Sequence, residues 1–183
     1  MPPHSRRTAV LGLGNPVLSD DAVGLRVVER LRAILEAEPV PGVDVLASTR
    51  AGFELIDMLQ GYDRAVIVDA IEMPDPRPGR IRSLDLGNFA GSARLNSAHE
   101  IDVATAFELA RKMGIPMPAE IEILAVEAKD VRTLSETLGP EVEAAVEPLA
   151  REIHARLRER AEAAGGPDPG EPHDPPRRPF YEA

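Results

Sequence analysis

The sequence, 183 residues long, contains no cysteine and no tryptophan. The absence of cysteine excludes disulfides, thiolate metal sites, iron–sulfur clusters and cysteine nucleophiles, and it is compatible with a reducing cytoplasm. Any metal ion would have to be held by histidine or carboxylate side chains. No apolar run approaches the roughly 20 residues needed to span a bilayer, and no cleavable signal pattern follows the basic N-terminus. We therefore expect a cytoplasmic protein that does not bind a membrane.

Positive charge is in deficit. The 21 lysine and arginine residues stand against 31 aspartate and glutamate residues, so the formal net charge is -10. This balance argues against a nucleic-acid binder, whose affinity would come mainly from cations that neutralise phosphates. The chain length is typical of one domain that can bury its own core.

The composition changes after Ala164, where a segment rich in proline and glycine begins. Such a segment cannot bury enough apolar surface to offset the loss of chain entropy, so we expect residues 165–183 to form a disordered tail. Residues 1–7 are expected to be a flexible N-terminus, which leaves residues 8–164 as a single domain. We expect this domain to be a monomer.

Within residues 8–164, short apolar runs alternate with amphipathic stretches of helical period, which is typical of an α/β fold. The pattern predicts a three-layer sandwich with a mostly parallel twisted sheet of about five strands and helices on both faces. The fourth strand is expected to be antiparallel because it follows a proline-rich connection. The predicted strands are Ala9–Leu13, Val43–Ala47, Ala65–Val68, Arg80–Leu84 and Ile121–Val126. The predicted helices are Val23–Leu35, Phe53–Gln60, Ile101–Met113 and Glu141–Ala163.

The loop after the first strand reads GLGNPVLSDD over residues 12–21 and resembles a nucleotide loop only superficially. A dinucleotide fingerprint needs a third glycine where Val17 stands and an acid after the second strand, where Ala47 and Ser48 stand. An acidic pair at the start of a helix also repels phosphate. We therefore expect no nucleotide cofactor.

Four side chains at the predicted sheet edge are candidates for chemistry. One of the adjacent acids Asp20 and Asp21 is expected to cap the following helix, a task that does not need the second. Asp69 follows the third strand, at the strand edge where α/β proteins bind ligands. His99 lies at a junction between a loop and a helix. Two carboxylates and one imidazole with open positions would suit nickel, zinc or manganese.

The order of these motifs resembles that of the [NiFe]-hydrogenase maturation endopeptidases. The segment GLGNPVLSDDAVG, residues 12–24, is similar to the family's opening pattern Gly-x-Gly-Asn-x-x-x-x-Asp-acid-x-x-Gly. The likeness covers residues 8–160 and continues through AGFEL at 51–55, VIVDA at 66–70, SAH at 97–99 and LGPEV at 138–142.

The resemblance implies a protease that trims the C-terminal extension of a hydrogenase large-subunit precursor after nickel has been inserted. The family's metal-contacting residues fall on Asp21, Asp69 and His99. The nickel would be carried by the substrate and would not be a permanent cofactor. It would polarise the scissile carbonyl or activate water while a carboxylate accepts a proton.

Some positions depart from the family's pattern. Ala22 stands where glycine is usual, Ala98 stands where proline often precedes the histidine, and residues 47–50 replace the usual turn after the second strand. The last change leaves open which hydrogenase is the partner and whether Arg50 contacts it.

Two other classes of protein remain alternatives at this point. A two-component receiver also has an acidic pair and a phosphoacceptor aspartate, and residues 69–74 approximate its Asp-x-x-Met-Pro pattern with the spacing off by one. The second alternative is a noncatalytic interaction module on the same fold.

Overall fold

The third strand lies in the middle of a five-stranded sheet in a computed structural model, which describes residues 6–49, 53–85 and 103–163. His99, Arg50 and the predicted tail at 165–183 lie outside these residues. The strands are β1 (Thr8–Leu13), β2 (Val43–Ser48), β3 (Arg64–Glu72), β4 (Ile81–Asp85) and β5 (Glu120–Ala128). The helices are α1 (Val23–Ala37), α2 (Glu54–Leu59), α3 (Val103–Lys112) and α4 (Pro140–Ala163), and a short 3-10 helix (Ser19–Ala22) precedes α1.

The sheet has the order β2-β1-β3-β5-β4. Neighbouring strands are parallel except β4, which is antiparallel to β5. The predicted five-stranded, mostly parallel sheet is therefore confirmed, together with its single antiparallel member. Because four strands run the same way, the loops that follow β1, β2, β3 and β5 meet at one edge of the sheet, which we call the carboxyl edge.

Helices cover both faces of the sheet, and the alternation of side chains along each strand divides the core between them. On one face, Val10 and Val66 pack in a cluster with residues of α1 and α4, such as Leu31 and Leu149. The opposite face is filled by a second cluster of strand and helix residues: Ala9, Leu11, Leu13, Leu55, Leu59, Ala65, Ile67, Phe107 and Ile123. The predicted three-layer sandwich is confirmed. No helix among the described residues is long and apolar enough to cross a membrane.

The third strand is longer than its apolar run. It continues through Asp69 to Glu72, paired with β5 along its whole length, whereas its pairing with β1 ends where Val68 faces Gly12. The expectation that Asp69 directly follows the strand is therefore wrong. Asp69 lies inside β3 and is the first residue of that strand beyond its pairing with β1.

Glycine at position 24 allows α1 to begin against the ends of two strands. A Cβ atom at this position would overlap the carbonyl oxygens of Leu13 and Val68. A Cβ atom at Gly12 would in turn overlap the carbonyl oxygen of Gly24. These contacts place the 3-10 helix, and the two acids that it carries, directly over the carboxyl ends of β1 and β3.

Candidate active site

Asp21 is buried in the 3-10 helix at the carboxyl edge. The backbone N–H of Asn15 donates a hydrogen bond to Oδ2 of Asp21 at 2.8 Å. Gly14, with φ of 147°, passes so close to the carbonyl of Asp21 that a Cβ atom there would overlap it. The loop after β1 therefore wraps around Asp21, which explains why glycine stands at position 14. The role of the Asn15 backbone was not predictable from the sequence, although the motif that contains Asn15 points to this loop.

Asp20 points to a different part of the molecule. Its Oδ2 accepts hydrogen bonds from the backbone N–H groups of Lys129 (3.0 Å) and Asp130 (3.1 Å), and its Oδ1 accepts one from Gly139 (2.7 Å). The N-cap residues of the 3-10 helix and of α1 are Leu18 and Ala22, so the expectation that one of the two acids caps the following helix is wrong. The Asp20 carboxylate instead joins the 3-10 helix to the loop after β5 and to the residue that precedes α4.

The bonds to Asp20 explain how one of two adjacent acids can be buried. Three backbone N–H donors replace water around its carboxylate. The side chain is 1% exposed. Asp20 therefore has a structural task, and Asp21 is the acid of the pair that interacts electrostatically with Asp69.

Asp69 lies in β3 opposite Ala125 of β5 and is 8% exposed. Its Oδ1 accepts a hydrogen bond from the backbone N–H of Ala70 at 2.8 Å. Burial raises the pKa of Asp69 to about 7, the Ala70 bond opposes that rise, and the negative charge of Asp21 adds to it. The two carboxylates are thus close enough to interact electrostatically.

Two features make this pair of carboxylates suitable for chemistry. A carboxyl group with a pKa near 7 can gain or lose a proton at neutral pH, as a general acid or base must. Two buried carboxylates that repel each other are also stabilised by a cation placed between them. The structure brings Asp21 and Asp69 to one edge, as the sequence predicts, and the predicted third member, His99, lies outside the described residues. Within residues 6–49, 53–85 and 103–163, no three histidine or acidic side chains are grouped so that they could hold a metal ion.

The loop between β5 and α4, residues 129–139, was not assigned to the site by the sequence interpretation. Its Ser135 forms a parallel bridge with Leu18, through bonds from Ser19 N–H to Ser135 O (2.8 Å) and from Ser135 N–H to Val17 O (3.1 Å). The LGPEV motif at the end of this loop is the only sequence signal that could have pointed to it.

Comparison with known proteins gives a consistent result. A family model described as hydrogenase maturation protease matches residues 25–156. The Hydrogenase 2 maturation protease of Escherichia coli (strain K12) is 33% identical, over 84% of this chain and 92% of its own length. The hydrogenase expression/formation protein HoxM of Azotobacter vinelandii is 28% identical, over 87% of this chain and 76% of its own.

Solved structures show the same likeness. The hydrogenase maturating endopeptidase HybD from E. coli superposes with a TM-score of 0.69 at 30% identity, covering 84% of this chain and 93% of its own. The [NiFe] hydrogenase maturation protease HybD from Thermococcus kodakarensis has a TM-score of 0.59 at 27% identity, covering 83% and 99%.

Proposed function

Because the chain belongs to the hydrogenase maturation protease family and is a peptidase, we propose that it removes the C-terminal extension of a [NiFe]-hydrogenase large-subunit precursor after nickel insertion. Family membership favours a peptidase over the receiver domain that also fitted the acidic residues. The observation that carries the proposal is the pair of buried carboxylates, Asp21 and Asp69, at the carboxyl edge of the sheet.

We propose that Asp21, Asp69 and His99 contact the nickel ion of the precursor. Two arguments support this role for the two acids. The two negative charges repel each other, and both side chains are buried from water. A divalent cation carried in by the substrate would relieve this repulsion. Carboxylate and imidazole ligands also suit nickel. The ion would arrive and leave with the substrate, and no resident cofactor is required.

Cleavage of the peptide bond needs a water molecule and a group that moves its proton. Water oxygen bonds to the scissile carbonyl carbon, the carbon–nitrogen bond breaks, and one proton passes from water to the leaving amine. One of the two carboxylates would accept this proton from water and return it to the leaving amine. Asp21, whose carboxylate is held by the Asn15 N–H, would keep the ion and the carbonyl in position.

The proposal also concerns cellular context. We infer that the protein works as a cytoplasmic monomer. The partner is the large-subunit precursor.

The test is incubation of the purified protein with nickel-loaded and nickel-free large-subunit precursors from the same host, followed by intact mass measurement. We expect loss of a C-terminal peptide from the nickel-loaded form alone. Asp21→Asn, Asp69→Asn and His99→Ala should stop trimming, while Asp57→Asn, on the exposed face of α2, should leave it unchanged. Trimming at the wild-type rate by all three site variants would overturn the assignment of these residues.

A further inference from the structure

Exposed apolar side chains are unevenly distributed over the surface. Among the residues that the structure describes, four large apolar side chains are exposed: Val17, Phe53, Met113 and Leu134. The first follows β1, the second follows β2 and the last follows β5, so three of the four lie in loops at the carboxyl edge. Met113 lies between α3 and β5, at the opposite edge. Isolated exposed apolar residues are ordinary, whereas exposed apolar surface next to polar residues is typical of ligand-binding grooves.

The backbone fixes two of these side chains next to each other. Leu18 and Ser135 are partners in a parallel bridge, so Val17 and Leu134 occupy the matching positions one residue earlier. The bonds that form the bridge are 2.8 Å and 3.1 Å long. Leu134 is 80% exposed although its loop is held in place at this bridge. An apolar side chain held in water on a fixed backbone is already positioned for a partner, and its binding costs little ordering entropy.

The same loop is anchored a second time, next to the acids. The carboxylate of Asp20 accepts bonds from Lys129, Asp130 and Gly139, which lie at the two ends of the loop. Oδ1 of Asp130 also accepts bonds from the N–H groups of Arg132 and Thr133, both at 3.0 Å. Leu134 therefore has a fixed position relative to Asp21, the neighbour of Asp20.

The strand order places the exposed side chains on both sides of the acids. Phe53 follows β2, Leu134 follows β5, and β1 and β3, which lead to Asp21 and carry Asp69, run between them. The distance across the sheet from β2 to β5 is three strand spacings of about 4.8 Å each, or about 14 Å. An extended chain covers this distance with about four residues. An extended peptide that crosses this edge would meet an apolar side chain on each side of the acidic pair.

We propose that Val17, Phe53 and Leu134 form an apolar rim that binds an extended segment of the precursor, with apolar side chains on both sides of the cleaved bond. This inference rests on the proposed function and adds the specificity of the same site. The occupant is a polypeptide that carries its cation at the centre, because the centre of the edge is acidic and the rim is uncharged. The rim selects the precursor segment by its apolar side chains, and the acids act on the peptide bond that lies between those side chains.

The experiment compares Leu134→Ser and Phe53→Ser with the matched control Met113→Ser, an exposed apolar residue at the opposite edge. Serine removes apolar surface without adding charge. With nickel-loaded precursor as substrate, each rim variant should raise KM roughly tenfold, as expected when about 1.4 kcal/mol of apolar contact is lost, and leave kcat unchanged. The control should stay within about twofold of wild type. An unchanged KM in both rim variants would overturn the proposal that the rim binds the precursor.

Binding is measured separately, so that failure of the rim can be told from failure of the proposed reaction. The same three substitutions are placed in an Asp69→Asn background, and the affinity for the purified nickel-loaded precursor is determined by calorimetry. Weaker binding in the rim variants alone supports the rim even if the wild-type protein cleaves nothing. Equal binding in all three variants overturns it even if cleavage is efficient. Self-association of the wild-type protein that is abolished by Leu134→Ser would assign the rim to a second copy of this chain and would also overturn the proposal.

Discussion

Replacement of Asp69 by asparagine is expected to stabilise the folded protein at neutral and alkaline pH. Burial, with a smaller contribution from the Asp21 charge, raises the pKa of Asp69 from its usual 3.8 to about 7. Such a rise means that the ionised side chain destabilises the folded state by roughly 4 kcal/mol, since each pKa unit corresponds to about 1.36 kcal/mol. Asparagine has nearly the same shape, carries no charge and retains an oxygen that can accept the Ala70 N–H bond.

The expected gain depends on pH with a definite sign. In the unfolded chain Asp69 loses its proton near pH 4, whereas in the folded protein it keeps the proton until about pH 7. The folded state therefore binds more protons between these values, and its stability falls as pH rises through them. The advantage of Asp69→Asn should be small at pH 4, should grow through this window and should reach its full size of a few kcal/mol by pH 8.

The assay is urea denaturation of wild type and Asp69→Asn at intervals between pH 4 and pH 8, with Asp57→Asn as the control for an exposed aspartate. The difference in free energy of unfolding between wild type and Asp69→Asn should widen with pH, while the control should follow wild type throughout. A constant difference, or a loss of stability in Asp69→Asn at pH 8, would refute the conclusion that this carboxylate is buried without full compensation.

Three further changes test the structure around the site. Asp20→Ala should lower the free energy of unfolding by several kcal/mol, because three backbone N–H groups lose their acceptor at about 1–3 kcal/mol for each that stays buried; urea denaturation measures this, and wild-type stability would contradict the anchoring role. Gly24→Ala should cost at least about 1–3 kcal/mol, because its Cβ would overlap the Leu13 carbonyl; an unchanged melting temperature would show that α1 does not begin so close to the strands. Glu127→Gln should cost about 2 kcal/mol, because the fully buried carboxylate accepts a 2.7 Å bond from Arg82, whose partial exposure makes the ion pair weaker than a fully buried one; the loss should shrink if Arg82→Ala is already present, as a double-mutant cycle would show.

Much of the fold could be predicted from local patterns, because the signals for its elements lie within the elements. The apolar run at Ala65–Val68 indicates a buried strand, and the three- and four-residue spacing in α1 indicates a helix packed by one face. The end of β3 could not be predicted in this way. The strand continues to Glu72 only because it pairs with β5 as far as Ala128, and that pairing depends on residues far away in the sequence.

The site shows the same division between local and distant information. The loop after β1 and the position of Asp69 near the carboxyl edge follow from motif and strand order. The task of Asp20 does not, because the N–H groups that it binds lie 109 to 119 residues later in the chain. The apolar rim was also beyond local reasoning, since Val17 and Leu134 become neighbours only through the bridge between their loops.

The two adjacent acids explain how one short helix serves both stability and chemistry. The Asp20 carboxylate is held within the protein by three N–H groups, so it stabilises the fold whether or not a substrate is bound. The charge of Asp69 is not compensated to the same degree, as its raised pKa indicates. Because burial makes that charge unfavourable without a proton or a cation, substitutions that neutralise Asp69 should favour stability while they abolish trimming. Substitutions of Asp20 should reduce the stability of the fold directly. They should reduce trimming only indirectly, to the extent that the 3-10 helix moves away from its position over β3.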